Sequence, residues 1–214
     1  MPDSPNMPPD DAHLQSLQRR RKQAFMLGLA LWLVFLLFTQ SRWRVSAPHL
    51  HTLIWGTGLA LILVCIVGRT WCTLYIGGLK KRELVIKGPY SVVRNPLYVF
   101  TAIGAMGVGA QAGSVLAAAA FGALSLTIFA VVVRREEAFL AATFPESFAD
   151  YAARVPRFWP RFSAWQEADE LLVRPRLVRR TFLDACMFLL AVPATNLIDR
   201  LQGVGEFPVL FLLP

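Results

Sequence analysis

An all-α, polytopic membrane bundle is the fold class this sequence predicts, and three observations carry the prediction. Hydrophobic residues fill 55% of the 214 positions and the mean hydropathy is +0.47, a balance far from that of a soluble domain. Apolar runs over residues 24–38, 50–68, 97–110, 114–133 and 182–197 are nearly free of charge, and the second and fourth approach the ~20 residues that cross a bilayer. The basic residues are also sorted. With the N-terminus inside, only Arg42, Arg44 and Arg200 of the 22 Lys and Arg residues fall on the outer side, as the positive-inside rule requires. About five transmembrane helices follow from these runs, or four and a re-entrant segment. Residues 80–94 and 136–180 then face the cytoplasm of a bacterial inner membrane, as does the N-terminus.

Residues 1–23 contain Pro and Asp, show little apolar periodicity and close on Arg19, Arg20, Arg21 and Lys22; they are expected to be a disordered basic tail. The run that follows has the look of a secretory signal, with residues 45–47 as a cleavage site, but Arg42, Arg44 and Pro48 oppose processing. It is therefore read as a mature helix, and residues 24–68 as two N-terminal spans. His49 and His51 sit at the start of the second span without Cys or carboxylate partners, so they read as interface residues. Cys65, Cys72 and Cys186 show no CxxC spacing and imply neither zinc nor disulfides.

The polar chemistry concentrates in residues 69–160. A loop over 69–94 is expected to carry Trp71, Tyr75 and the Lys80-Lys81-Arg82-Glu83 run into the stretch GPYSVVRNPLY, residues 88–98. Asn95 suits a helix N-cap and Pro96 the first helical position, so a helix starts there with its unpaired N–H groups and positive dipole end at the interface. Arg94 adds a full charge beside them, which together suits a carboxylate or phosphate. The competing reading is that Asn95-Pro96 simply starts a helix and Arg94 anchors it at lipid head groups. The helix is rich in small residues, Gly104, Ala105, Gly107, Gly109 and Ala110, which permit close helix contact. A short turn at 111–113 reverses the chain. The second helix of this hairpin ends in Arg134, Arg135, Glu136 and Glu137, which the hairpin returns to the side of the first motif. Residues 145–154 read as a short amphipathic helix with Phe148, Tyr151 and Val155 on one stripe, either a lid or an ordinary interfacial helix. Residues 161–214 form a linker and a last span, and the run 207–213 is too short to cross alone.

These residues resemble a family of integral-membrane methyltransferases that comprises isoprenylcysteine carboxyl methyltransferases and phospholipid N-methyltransferases. The family signature is Gly-x-Tyr-x-x-x-Arg-His-Pro-x-Tyr, a helical hairpin, Glu-Glu, and a Phe-Gly-x-x-Tyr-x-x-Tyr-x-x-x-Val-Pro tail. Gly88, Tyr90, Arg94, Pro96 and Tyr98 match the first part, Glu136 and Glu137 the second, and Phe144, Phe148, Tyr151, Val155 and Pro156 the third. The resemblance covers roughly residues 68–160. Asn95 stands where the family has His, and an amide carries no proton near neutral pH; Pro145 replaces Gly.

The resemblance implies S-adenosylmethionine as cofactor and a lipophilic or lipidated acceptor. Methyl transfer needs alignment, exclusion of water, and groups for one cation and one carboxylate. Glu136 or Glu137 would hold the cofactor's ammonium or ribose, Tyr90 and Tyr98 would face the sulfonium, and Arg94 with the helix N-terminus would hold its carboxylate. By resemblance, Arg82, Glu83, Leu84 and Val85 would line the adenosine, Asn95, Pro96, Leu97 and Tyr98 would close over it, and Tyr75 would add a polar contact. Arg134 or Arg135 would pair with the acceptor. A carboxylate acceptor is ionised at neutral pH and needs no general base, whereas an amine must first lose a proton; with neither His nor Cys in the motifs, carboxyl O-methylation is the simpler chemistry, and phospholipid N-methylation the alternative. The Glu136-Glu137 pair also fits a solvated helix end salt-bridged to Arg134 or Arg135. A nicotinamide-dependent membrane reductase and a non-enzymatic scaffold or transporter remain competing classes. The formal charge of +8 and pI near 10.0 suit anionic membrane lipids. No nucleic-acid module accompanies them.

Overall fold

The computed structural model describes residues 34–77, 83–205 and 207–214. Most of the first apolar run, the basic tail and residues 78–82, including Arg82, lie outside the described residues. In chain order the elements are β1 (Thr39–Ser41), α1 (Trp43–Ser46), α2 (Pro48–Ile76), α3 (Pro89–Val92), α4 (Pro96–Ala110), α5 (Val115–Thr143), α6 (Pro145–Arg154), α7 (Pro175–Cys186), α8 (Ala191–Gly203) and β2 (Phe211–Leu213). A 3-10 turn, Met187–Leu190, joins α7 to α8. The chain is an α-helical membrane protein. Among the described residues three helices are long and apolar enough to cross a bilayer: α2, α5 and the continuous Pro175–Gly203 rod. Each has 29 residues and so spans about 43 Å, more than the hydrocarbon core. Helix α4 is a shorter apolar helix, so about five full spans are not what the described residues contain.

The expected boundary at residue 68 moves. Helix α2 runs on to Ile76, so Arg69, Trp71, Cys72 and Tyr75 are helical and not in a loop. Arg69 and Trp71 resemble an interface on a hydropathy scale, yet helical hydrogen bonding continues through them, and Thr73 donates its hydroxyl to the Arg69 carbonyl at 2.8 Å.

Small residues set the packing. Helix α4 lies between α2 and α5, and α7 packs on α2. A methyl group on Gly107 would come within 2.7 Å of the Gly58 carbonyl and 2.8 Å of Ile62, so only hydrogen side chains let α2 and α4 approach this closely. The expected role of the small stripe is observed. Around it Ile62, Ile66 and Ala185 are buried, with Val108 and Phe188 against them. Leu124, Ile128 and Val131 of α5 stay exposed, a surface fit for acyl chains.

The hairpin turn is tied down at the end of the bundle away from the motifs. Ser114 caps α5 by accepting from the Ala117 N–H at 3.1 Å, and its hydroxyl donates to the Pro214 carbonyl at 2.6 Å. Strand β2 pairs in parallel with β1, Thr39 opposite Phe211. The 207–213 run therefore ends as an edge pairing.

Candidate active site

Both sequence motifs meet at the opposite end of the hairpin. Asn95 occupies the N-cap position of α4 and Pro96, fully buried, its first turn. The Asn95 side chain makes no capping bond. Its Nδ2 donates instead to Glu137 Oε1 at 3.0 Å and to the Arg157 carbonyl at 3.3 Å. Helix α5 delivers Glu137 to this point, with a side chain only 9% exposed. Arg94 Nε stands 3.2 Å from Glu137 Oε1, attracted but misaligned for donation, while Arg94 Nη1 donates to the Ala152 carbonyl at 2.9 Å. Arg157 closes the arrangement: Nε and Nη2 donate to Glu137 Oε2 at 2.9 and 2.7 Å. One buried carboxylate thus serves two guanidiniums and an amide, a fully used acceptor.

Helix α6 has the bounds its sequence predicts, and its apolar stripe, Phe148, Tyr151 and Val155, is buried with Leu84 and Leu140 against it. Tyr151 Oη donates to the Tyr90 carbonyl at 2.7 Å, so α6 is fastened to the first motif. Burial raises the Tyr151 phenol above its ordinary pKa, against the pull of Arg94.

Gly88 turns the chain into α3 with φ +59°, a conformation glycine adopts at little cost, and the Tyr75 ring fills the space a Cβ would need. Residues 161–166 cross this turn as a strap. The Gly88 N–H donates to the Gln166 carbonyl at 2.8 Å, the Gln166 N–H donates to Ser91 Oγ at 3.0 Å, and the Arg161 N–H donates to the Val92 carbonyl at 2.9 Å. Tyr75 Oη donates to Glu167 Oε1 at 3.1 Å and Trp165 Nε1 to Glu167 Oε2 at 3.0 Å. Trp165 stacks on Trp71, 5.5 Å between centroids.

Tyr90 is buried against Cys72 and Tyr75, with Val85, Leu97 and Phe100 around them. Its hydroxyl is buried without a hydrogen-bond partner, a state that proteins avoid unless another group completes it. Desolvation first, then Cys72, Tyr151, Glu136 and Tyr98, hold the Tyr90 phenol well above its ordinary pKa. Tyr98 packs on Phe129 of α5, 4.9 Å between centroids. Glu136 is half-buried, whereas Arg134, Arg135 and Glu83 are exposed. Arg94, Asn95 and Glu137 are thus brought into contact, Glu136 and Tyr98 act on Tyr90 through charge, Val85 packs with Tyr90, and Leu84 packs with the apolar stripe of α6. Glu137 pairs across the fold, not with its neighbours Arg134 and Arg135. Arg157 and Glu167 were not singled out by sequence. Arg157 follows the Val155-Pro156 signature directly, and that adjacency was the available signal; Glu167 has none.

A family model described as phospholipid methyltransferase matches residues 50–147. The nickel-cobalt-cadmium resistance protein NccN of Alcaligenes xylosoxydans xylosoxydans is 34% identical over 201 residues, 92% of each chain. The cobalt-zinc-cadmium resistance protein CzcN of Cupriavidus metallidurans is 38% identical over 175 residues, 81% of this chain and 79% of that one. Protein-S-isoprenylcysteine O-methyltransferase B of Arabidopsis thaliana is 28% identical over 125 residues, 58% of this chain and 64% of that protein. This chain belongs to the phospholipid methyltransferase family. It is a membrane methyltransferase, and its family-matched residues contain the α4–α5 hairpin and both polar motifs. The segment that supplies Arg157 and the strap lies beyond that match, so part of this phospholipid methyltransferase family member's site comes from outside the matched region. No solved structure matches it significantly.

Proposed function

We propose that the protein transfers a methyl group from S-adenosylmethionine to the carboxylate of a lipophilic acid at the cytoplasmic face of the membrane. The observation that carries this reading is the Asn95 amide. The position that holds an imidazole in the family signature is locked here onto Glu137 and the Arg157 carbonyl, leaving the site without a base at that point. A carboxylate asks for none.

The side chains suit the cofactor. An unpartnered hydroxyl on Tyr90, packed among Cys72, Tyr75 and Phe100 and within reach of the Glu136 charge, would suit a cationic ligand rich in donors and acceptors. When bound, S-adenosylmethionine supplies an electrophilic methyl carbon on a sulfonium. Glu136 would take its ammonium or ribose, Tyr90 and Tyr98 would line the sulfonium, and the backbone at Leu84 and Val85 would flank the adenosine. Glu137, saturated by Arg94, Arg157 and Asn95, acts as the brace that holds these parts in register. In the reaction an acceptor oxygen forms the new O–CH3 bond as the S–CH3 bond breaks, and no proton is released. The site's task is alignment and exclusion of water.

The names of the two bacterial relatives suggest a setting. A methyl ester has lost the negative charge that draws divalent cations to a carboxylate, so esterifying an envelope acid would lower the affinity of that surface for such metals.

The test is a pH profile with Asn95→His alongside. For a carboxylate acceptor the rate at limiting substrate stays nearly flat from about pH 6 to 9 and the histidine adds little. A rise of about tenfold per pH unit, with a faster Asn95→His variant, would instead identify an amine acceptor.

A further inference from the structure

Arg69 is an ionisable residue inside an otherwise apolar span. It lies seven residues before the end of α2 at Ile76, which puts its Cα about 10 Å below the helix end. A charged residue within a membrane-crossing helix calls for a partner or a function. Its Nη1 donates to Thr101 Oγ1 of α4, and that hydroxyl donates onward to the Leu97 carbonyl at 2.6 Å. The contact holds the guanidinium sideways across the α2–α4 seam instead of letting it reach up to the interface. Thr101 brings no negative charge, and among the described residues no carboxylate pairs with Arg69. Its Nε is buried with no hydrogen-bond partner, although the residue as a whole is only partly buried. One helical turn nearer the site, Cys72 packs with Tyr90, Leu97 and Phe100. The charge therefore lies one helical turn below the cluster that holds the tyrosine whose hydroxyl is unpartnered.

We infer that Arg69 is the seat of the acceptor's anionic group: it receives the carboxylate of an amphiphile whose apolar chain stays in the bilayer, and holds it beneath the Tyr90 and Leu97 motif. This rests on the carboxylate reading above and names the residue that gives it specificity. A guanidinium held at Nη1 by Thr101 keeps its orientation, and its buried Nε is a donor awaiting an acceptor oxygen. Arg134 and Arg135, exposed on α5, have no such shielding from water. Arg69 is the one Arg or Lys among the residues of α2 and α4, and so the counter-charge these two helices offer a membrane-borne acid.

The experiment measures binding to the purified full chain in nanodiscs, without cofactor. N-acetyl-S-farnesylcysteine and palmitate are each compared with their methyl esters on wild type, Arg69→Met, Arg69→Lys and Thr101→Val. S-adenosylhomocysteine affinity is measured in parallel. Wild type is expected to prefer at least one acid over its ester by tenfold or more. Arg69→Met should abolish that preference, Arg69→Lys and Thr101→Val should each reduce it severalfold, and all should bind S-adenosylhomocysteine within about twofold of wild type. A full acid preference in Arg69→Met would overturn the assignment while leaving the carboxylate reading intact. Equal binding of acid and ester by wild type would overturn both. If Arg69→Met fails to fold, an unchanged preference in both Arg69→Lys and Thr101→Val is the contradicting result.

Discussion

Arg157 and Glu137, twenty residues apart in the chain, share two hydrogen bonds of 2.9 and 2.7 Å through the Arg157 Nε–Nη2 edge and Glu137 Oε2. The pair joins the end of the hairpin to the segment after α6, and the other Glu137 oxygen reaches Arg94 and Asn95 at the start of α4. A single carboxylate holds three separate stretches of chain together.

Its removal should therefore cost stability before it costs affinity. Glu137→Ala leaves the Arg94 guanidinium, 12% exposed, without its counter-charge, and a loss of about 3 kcal/mol is expected. Arg157, 41% exposed, is screened by water, and Arg157→Ala should cost about 1 kcal/mol or less. Glu136→Ala should leave the melting midpoint near wild type yet weaken S-adenosylhomocysteine. Thermal unfolding in detergent and titration of S-adenosylhomocysteine separate the two effects; weakened affinity in Glu137→Ala alone, with unchanged melting, would reverse the assignment.

The buried phenols make stability fall at alkaline pH. Desolvation raises both Tyr90 and Tyr151, whereas an unfolded tyrosine titrates near pH 10. Their contribution is thus complete below about pH 10 and lost as pH rises through the folded values. Melting midpoints from pH 7 to 11 should show this fall, and Tyr151→Phe should soften it. At neutral pH Tyr151→Phe loses its bond to the Tyr90 carbonyl, about 1 kcal/mol. Tyr90→Phe should move the other way, gaining up to about 1 kcal/mol by deleting an unsatisfied hydroxyl, while weakening the cofactor. A destabilised Tyr90→Phe would show that the hydroxyl is already satisfied.

Much of this arrangement was legible because it obeys local rules. The Pro-initiated amphipathic pattern marked α6 at Pro145–Arg154 to the residue, and the apolar hairpin between two polar motifs required Asn95 and Glu137 to meet. Other features depend on pairing across the chain. Whether Glu137 would choose Arg134, Arg135, Arg94 or Arg157 is decided by which side of α5 faces α4, and hydropathy does not record that. The β1–β2 pairing joins two strands of three residues that are far apart in sequence, too short to carry a pattern. Helix α2 outran its expected boundary because charge and Trp at 69–71 resemble a membrane edge even where the helix continues.

Topology gives an independent check. If both halves of the site face the cytoplasm, reporter fusions after Val85 and after Gln166 should both read cytoplasmic, because the Gly88 N–H to Gln166 carbonyl bond requires them to be neighbours. A periplasmic signal at either position would separate the strap from the motif it crosses.

The most direct test follows the methyl group itself. Purified protein in nanodiscs is given methyl-labelled S-adenosylmethionine with N-acetyl-S-farnesylcysteine, palmitate and phosphatidylethanolamine together, and the lipid product is treated with mild alkali. Label transferred to a carboxylate leaves as methanol when the ester is cleaved, which is the expected result. Label that stays non-volatile through alkali, as an N-methyl group on the released head group does, or no transfer at all, would contradict the account.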